Sequence, residues 1–346
     1  MRRLVVVLAV IGLLGFGTSR GLDWWNYNVY TPMAQSSQQV VFHIDAGELP
    51  LQISEDLYTQ RLIRDRNAFD LYVRITNAGP KFEAGTFLLN RNMNMAQIID
   101  ALEHGRPDQL LVTIPEGFPL KFQAQYVEKS GLGTAADYLA AAKDPAVAAP
   151  FDFLSSRPAA ADPPLEGYLF PDTYLIDRSV GVKELVKAQL AQFGNVFSAA
   201  LRDQIKQATP ARPAESVESM VILASMVERE ANKDSDRGNV CSVYYNRLKI
   251  GMPLGVDATL LYALGRLTPE PTYAELQLNT PYNTRNHVGL PPGPISNPGK
   301  AALLACINPP QTQYLFYFAD RNGVTHFETN ENDFERDKQT YGVSGS

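Results

Sequence analysis

The chain has 346 residues, 45% of them hydrophobic and 20% charged, with a net charge of −6. That length holds two domains, and that composition a sizeable core, which excludes an intrinsically disordered chain. The acidic balance argues against a nucleic-acid partner, because a phosphate backbone demands a basic face.

Met1-Arg2-Arg3 precede an unbroken apolar run over residues 4–17, after which Thr18-Ser19-Arg20 return to polarity. Cations before the run and none within it predict an N-terminus held in the cytoplasm and an exported body. The run is short for a spanning helix and also fits a signal-peptide core. No clear A-x-A cleavage site follows, and Trp24, Trp25, Tyr27 and Tyr30 stand where an interfacial aromatic belt would lie. Residues 1–22 are therefore read as a single-pass anchor, with a cleaved signal as the alternative.

Residues 40–44 read as a short strand and residues 45–47 as a turn. Helices follow over 51–60 and 65–75; in the second, Phe69, Tyr72 and Val73 share one face. Residues 82–89 turn into a strand, an amphipathic helix opens at Asn94 and stops at Gly105, and residues 110–114 form a further strand. The order is strand-helix-helix, then strand-helix-strand, a small α+β unit.

Residues 118–142 are mostly helical, with a break at 131–133. Residues 144–164, rich in Ala and Pro, read as a long connection with little structure of its own, either a flap or a spacer. Helices then dominate over 183–206, 214–232 and 237–250. A Pro/Gly/Asn-rich tract covers 279–299, and the chain ends in strands at 314–318 and 324–327 around a turn at 320–323. Two cysteines, Cys241 and Cys306, either form one bridge or pack as small hydrophobes.

The helix over 214–232 carries the sharpest chemical signal. At about 100° per residue, Met220, Leu223, Met226 and Val227 form one apolar stripe, and Glu230 falls inside it. Glu228 and Arg229 project off it. A carboxyl on an apolar face is partly desolvated, so its protonated form persists nearer neutrality, which suits a general acid. The same pattern fits an acid at a surface edge, and Val221 and Ile222 lie outside the stripe. Elsewhere, Glu166 and Asp172 sit among Tyr168, Leu169, Phe170 and Tyr174, which suits either a sugar groove or a structural turn. The four histidines show no ligand spacing, and nucleophile-elbow, P-loop and dinucleotide motifs are absent, so no cofactor is expected.

Taken in order, the motifs resemble those of the endolytic murein transglycosylase (MltG, YceG-like) family over nearly the whole chain. They comprise Phe82-Glu83-Ala84-Gly85-Thr86, Ile114-Pro115-Glu116-Gly117, Leu165-Glu166-Gly167 through Phe170-Pro171-Asp172-Thr173-Tyr174, and Ala224-Ser225-Met226-Val227-Glu228-Arg229-Glu230. Asn246-Arg247-Leu248, Asp257-Ala258-Thr259, Tyr282-Asn283-Thr284, residues 289–295, Asn297-Pro298-Gly299 and His326-Phe327 complete the set. Gly255, Arg285 and Asp333-Phe334 depart from the common pattern.

The resemblance implies an α+β protein with a LysM-like domain over 40–115 and a catalytic domain over 116–346 built on a lysozyme-like helical core. It implies Glu230 as the catalytic acid/base of a lytic transglycosylase cutting MurNAc-GlcNAc linkages in nascent strands, with 1,6-anhydro ends. Candidate substrate-binding residues within the motifs are Glu166, Tyr168, Asp172, Asn246, Asp257, Tyr282 and Asn283. The implied partners are peptidoglycan strands, the cytoplasmic membrane and the synthases near it. The rival expectations are a hydrolytic muramidase using a second carboxylate, Glu166 or Asp257, and a non-catalytic peptidoglycan-binding scaffold.

Overall fold

A computed structural model describes residues 20–104, 109–157, 162–178, 180–231 and 233–343. The apolar run at 4–17 and the helix stop at Gly105 lie outside these residues. Among the described residues no helix is long and apolar enough to cross a membrane. The chain divides into two compact units, Met1–Leu111 with Thr173–Ser179, and Val112–Asp172 with Val180–Ser346.

The first unit opens with a helix over residues 20–30 (α1), whose Val29 is buried and whose Trp25 stacks on Tyr72 at 5.8 Å. Trp24, Tyr27 and Tyr30 are exposed, whereas the Trp25 ring is taken up by its stack on Tyr72. Strand β1 (Gln39–Ile44) pairs antiparallel with β2 (Gly85–Asn90), Phe42 opposite Phe87. Between them run α2 (Pro50–Thr59) and α3 (Arg66–Thr76). Asp65 caps α3 through its side chain, and Asn77 ends it in the left-handed conformation (φ 52°), which Asn tolerates better than most residues. Asn94 opens α4 (Met95–Glu103) with a reciprocal Asn-Gln capping box. Alternation in the strands and the 3.6 period in the helices bring Phe42, Ile53, Leu57, Phe69, Leu89 and Ile98 into one core. Strands β3 (Gln109–Thr113) and β4 (Thr173–Asp177) form a second two-stranded sheet.

The second unit is mainly helical. It begins with α5 (Leu120–Ser130) and α6 (Ala135–Ala141), separated at Gly131 (φ 77°) as expected. The stretch over 144–164, read as a connection with little structure of its own, contains the short α7 (Pro145–Ala148) and a 3₁₀ turn (Asp152–Ser156). Phe153 drives this ordering, since its ring lies 5.0 Å from Phe193 and 6.2 Å from Tyr168 inside the core. The single helix expected over 183–206 is two, α8 (Gly181–Val196) and α9 (Ala199–Ile205), because Ser198 caps a new start.

Helix α10 (Val217–Glu230) is central and packs against α11 (Asp234–Lys249), α12 (Asp257–Ala263) and α14 (Lys300–Ile307). Helix α12, the short α13 (Tyr273–Leu276), α14 and the terminal α15 (Glu331–Thr340) escaped the pattern reading. Three of them span at most eight residues, too few for a period to show, and α15 has no buried face. Strands β5 (Phe316–Ala319) and β6 (Thr325–Glu328) pair as an antiparallel hairpin. Cys241 of α11 and Cys306 of α14 are disulfide-bonded with Cα atoms 5.4 Å apart, which settles the open choice in favour of the bridge.

Candidate active site

Helix α10 starts at Ser216, whose side chain accepts from the Ser219 amide, and runs to Glu230, after which Ala231 turns extended. Every residue from Met220 to Val227 is buried. The apolar stripe that singled out Glu230 is therefore part of a helix buried on all sides, and the face argument alone does not distinguish the residue. Its position at the last turn does, because there the helix reaches an open cleft.

That cleft has a volume of about 520 Å³ and is lined by Glu230, Asp257, Glu270, Arg285, Phe316 and Tyr317 among others. Tyr317, on β5, donates to Glu230 Oε2 at 2.9 Å. The Tyr244 hydroxyl on α11 lies 3.1 Å from that of Tyr317. With the Tyr317 proton committed to Glu230, Tyr244 is the donor of the pair, so two phenols in series hold the carboxyl. Burial pushes the Glu230 carboxyl up, as do the negative charges of Asp257 and Glu270, while the Tyr317 hydrogen bond and the Arg229 cation pull the other way. The net direction is upward, toward a proton-holding acid.

Asp257, the first residue of α12, is the second sequence candidate in this cleft. Arg285 grips it with both guanidinium arms, Nε to Oδ1 at 2.6 Å and Nη2 to Oδ2 at 2.8 Å. A carboxylate held in that fork is fixed in orientation, with both oxygens engaged by one cation. Glu228 is not solvent-directed, although it lies off the stripe. Its side chain is 5% exposed and paired with Arg237 at 2.8 Å, and it accepts from the Gly299 amide at the start of α14. The Glu116 carboxylate lies over the same glycine so closely that a Cβ there would collide with it. The Pro-Glu-Gly, Glu-x-Glu and Asn-Pro-Gly motifs thus meet at one structural node.

The other expected glycan-binding residues lie elsewhere in this unit. Tyr168 is fully buried and donates to Glu218 at 2.6 Å. Asn283 is buried and donates to the carbonyls of Leu276 and Leu278. Asn246 donates to the carbonyls of Thr312 and Tyr314, which holds the chain leading into β5 and so aims Tyr317. The Tyr168 hydroxyl and the Nδ2 groups of Asn246 and Asn283 are thus tied into the fold, and none of the three residues lines the cleft of Glu230. Glu166 is 4% exposed and accepts from the Leu120 amide, Asn297 and Tyr262. Burial pushes it up to about 7 against the pull of those donors. Asp172 accepts from Gln192 at 2.9 Å. Tyr282 stacks obliquely on Tyr262 in a different cavity.

Tyr317, Tyr244, Glu270 and the gripping role of Arg285 were missed from sequence. Tyr317 had one available signal, a hydroxyl amid an aromatic strand, which when buried needs a partner.

Comparison with known proteins follows the same lines. The model of the YceG-like family matches residues 42–340. A Bacillus subtilis protein named endolytic murein transglycosylase is 30% identical over 331 residues, covering 93% of this chain and 90% of that one. A protein of the same name from Streptococcus pneumoniae R6 is 30% identical over 355 residues, and the match spans 95% of this chain but 63% of that longer protein. A crystal structure of a YceG-like protein from Listeria monocytogenes superposes with a TM-score of 0.58 at 30% identity, covering 87% of this chain and 99% of that one.

Proposed function

The chain belongs to the YceG-like family, and we propose that it is a lytic transglycosylase that cuts peptidoglycan strands internally, with Glu230 as its acid/base. The observation that carries this reading is the half-buried Glu230 carboxyl, held by one phenolic donor at the head of a polar, aromatic-walled cleft. Burial of such a group favours its protonated form, the form that a general acid needs.

In the proposed reaction the protonated Glu230 donates to the oxygen of the MurNAc-GlcNAc linkage as the bond to the MurNAc anomeric carbon breaks, through an oxocarbenium-like transition state. The Glu230 carboxylate then removes the proton of the MurNAc 6-hydroxyl, whose oxygen closes on the anomeric carbon to give the 1,6-anhydro end. No water is consumed, and Glu230 finishes protonated. The Arg285 grip on Asp257 weighs against the hydrolytic alternative that uses Asp257 as its second carboxylate, because that carboxylate is tied to a cation rather than free to activate water.

The first unit is proposed to act as a LysM-like glycan-holding domain over 40–115, supported by its β1-α2-α3-β2 order and antiparallel strand pair. Residues 1–22 are proposed as a single-pass anchor in the cytoplasmic membrane, with the body outside and close to the synthases that extrude nascent strands. Support comes from Arg2 and Arg3 ahead of an apolar run, from exposed Trp24, Tyr27 and Tyr30 beyond it, and from a disulfide that belongs to an oxidising compartment.

Mass spectrometry of uncrosslinked glycan treated with the full-length chain tests the reading. Anhydro ends are expected, lost in Glu230→Gln. Reducing ends would mean hydrolysis, and binding without cutting would mean a scaffold.

A further inference from the structure

A second cavity lies in the same unit, away from the cleft of Glu230, with which it shares no lining residue. It has a volume of about 340 Å³ and holds Arg157, Asp162, Glu218 and the Tyr262–Tyr282 pair, whose ring centroids are 5.1 Å apart. A neighbouring cavity of about 520 Å³ shares Pro163, Glu166, Tyr262, Tyr282 and Pro292 with it and extends toward Lys121 and Phe122. The wall is preformed: a Cβ on Gly167 would lie 2.6 Å from both Pro294 and Val221, so the backbone there packs without slack.

Glu218 is 8% exposed. Its Oε2 accepts from Tyr168, but its buried Oε1 has no hydrogen-bond partner among the described residues. The Nε and Nη1 of Arg157 are likewise buried and without a partner among those residues. Opposite charges thus share one cavity wall, each with unused hydrogen-bonding capacity, where buried polar atoms are ordinarily satisfied. A carboxylate acceptor beside guanidinium donors, against aromatic rings, matches a free α-amino acid group, ammonium toward Glu218 and carboxylate toward Arg157.

We propose that this groove is a second binding site, which takes the zwitterionic end of a peptide stem carried by the glycan strand. The proposal rests on the glycan-cutting reading above. An N-acetylated sugar strand offers no ammonium, whereas its peptide stems do. Glu218 and Glu230 lie twelve residues apart on α10, about 18 Å along the axis. A stem of five fully extended residues, at about 3.3–3.6 Å each, reaches about that distance. A strand lying in the cleft would then be read by its peptide while its sugar is cut.

The test is calorimetric titration of the full-length chain with L-alanyl-γ-D-glutamyl-meso-diaminopimelate, free or with its distal amine acetylated and distal carboxyl amidated. The free peptide is expected to bind about tenfold tighter than the capped one, the scale of one charge-assisted hydrogen bond. Glu218→Gln and Arg157→Gln are each expected to abolish that preference. The capped ligand needs no variant, so the comparison stands even if one fails to fold. Equal binding of both peptides, no binding of the free one, or variants that lower Tm yet keep the preference would overturn the proposal and leave a structural ion pair. A chain that prefers the free peptide but cuts no glycan would overturn the proposed activity alone.

Discussion

Glu166 and Glu230 are both carboxyls that burial pushes toward their protonated forms, but their surroundings differ in the number of donors they receive. Glu166 accepts from the Leu120 amide with both oxygens, at 3.0 and 3.1 Å, and also from Asn297 and Tyr262. Its lone pairs are committed to the start of α5 and to two other segments, and it holds the unit together. Glu230 has the Tyr317 hydroxyl at 2.9 Å and a cleft in front of it. Burial and a raised pKa do not by themselves mark a catalytic acid; the role proposed for Glu230 rests also on its opening to the cleft.

The comparison breaks most visibly at Glu230. Glu230→Gln is expected to cut glycan cleavage about 10²–10⁴-fold, the usual worth of a general acid, with Tm close to wild type, as read by muropeptide chromatography and thermal melts. Glu166→Gln should do the reverse. An amide nitrogen would face donors where an acceptor is needed, at a cost of about 2–4 kcal/mol. Urea unfolding should show this loss, with cleavage by the folded fraction within a few-fold of wild type. If Glu166→Gln instead stops cleavage without moving the unfolding midpoint, the contrast is wrong.

Two milder changes sharpen it. Tyr317→Phe removes the donor to Glu230 and should lower kcat/KM about tenfold, the scale of one hydrogen bond to a charged group. Because that donor holds the carboxyl down, its loss should move the alkaline limb of the pH profile to higher pH. Asp257→Asn acts oppositely and more weakly. Its negative charge holds Glu230 up and also occupies Arg285, so removing it lowers the Glu230 pKa. The acid is then deprotonated at lower pH, and the alkaline limb should shift that way. An unmoved limb in both variants would mean that another group controls the profile.

Much of this protein was legible before any coordinates. Periodicity located β1, α2, α3, β2 and α4 nearly residue by residue, because each carries a repeating buried face such as Phe42 and Ile44 or Ile98, Ile99 and Leu102. The ordered motifs singled out Glu230 and put it in the Glu-x-Glu pair at the end of α10. Pattern reading failed where no period exists. Helix α10 is buried all round, so its stripe carried no information, and α12, α13 and α14 are too short to display one.

Only the tertiary structure decided which motif residues face the cleft. Tyr168, Asn246 and Asn283 are polar or aromatic in sequence exactly as a sugar-binding residue would be, and nothing local reveals that their partners are Glu218 and distant main-chain carbonyls. The Cys241–Cys306 bridge, the Asp257–Arg285 fork and the Tyr244–Tyr317–Glu230 chain join residues 65, 28 and up to 87 positions apart. A short window of sequence reports whether a side chain prefers burial; which distant atom meets it there depends on how the helices pack.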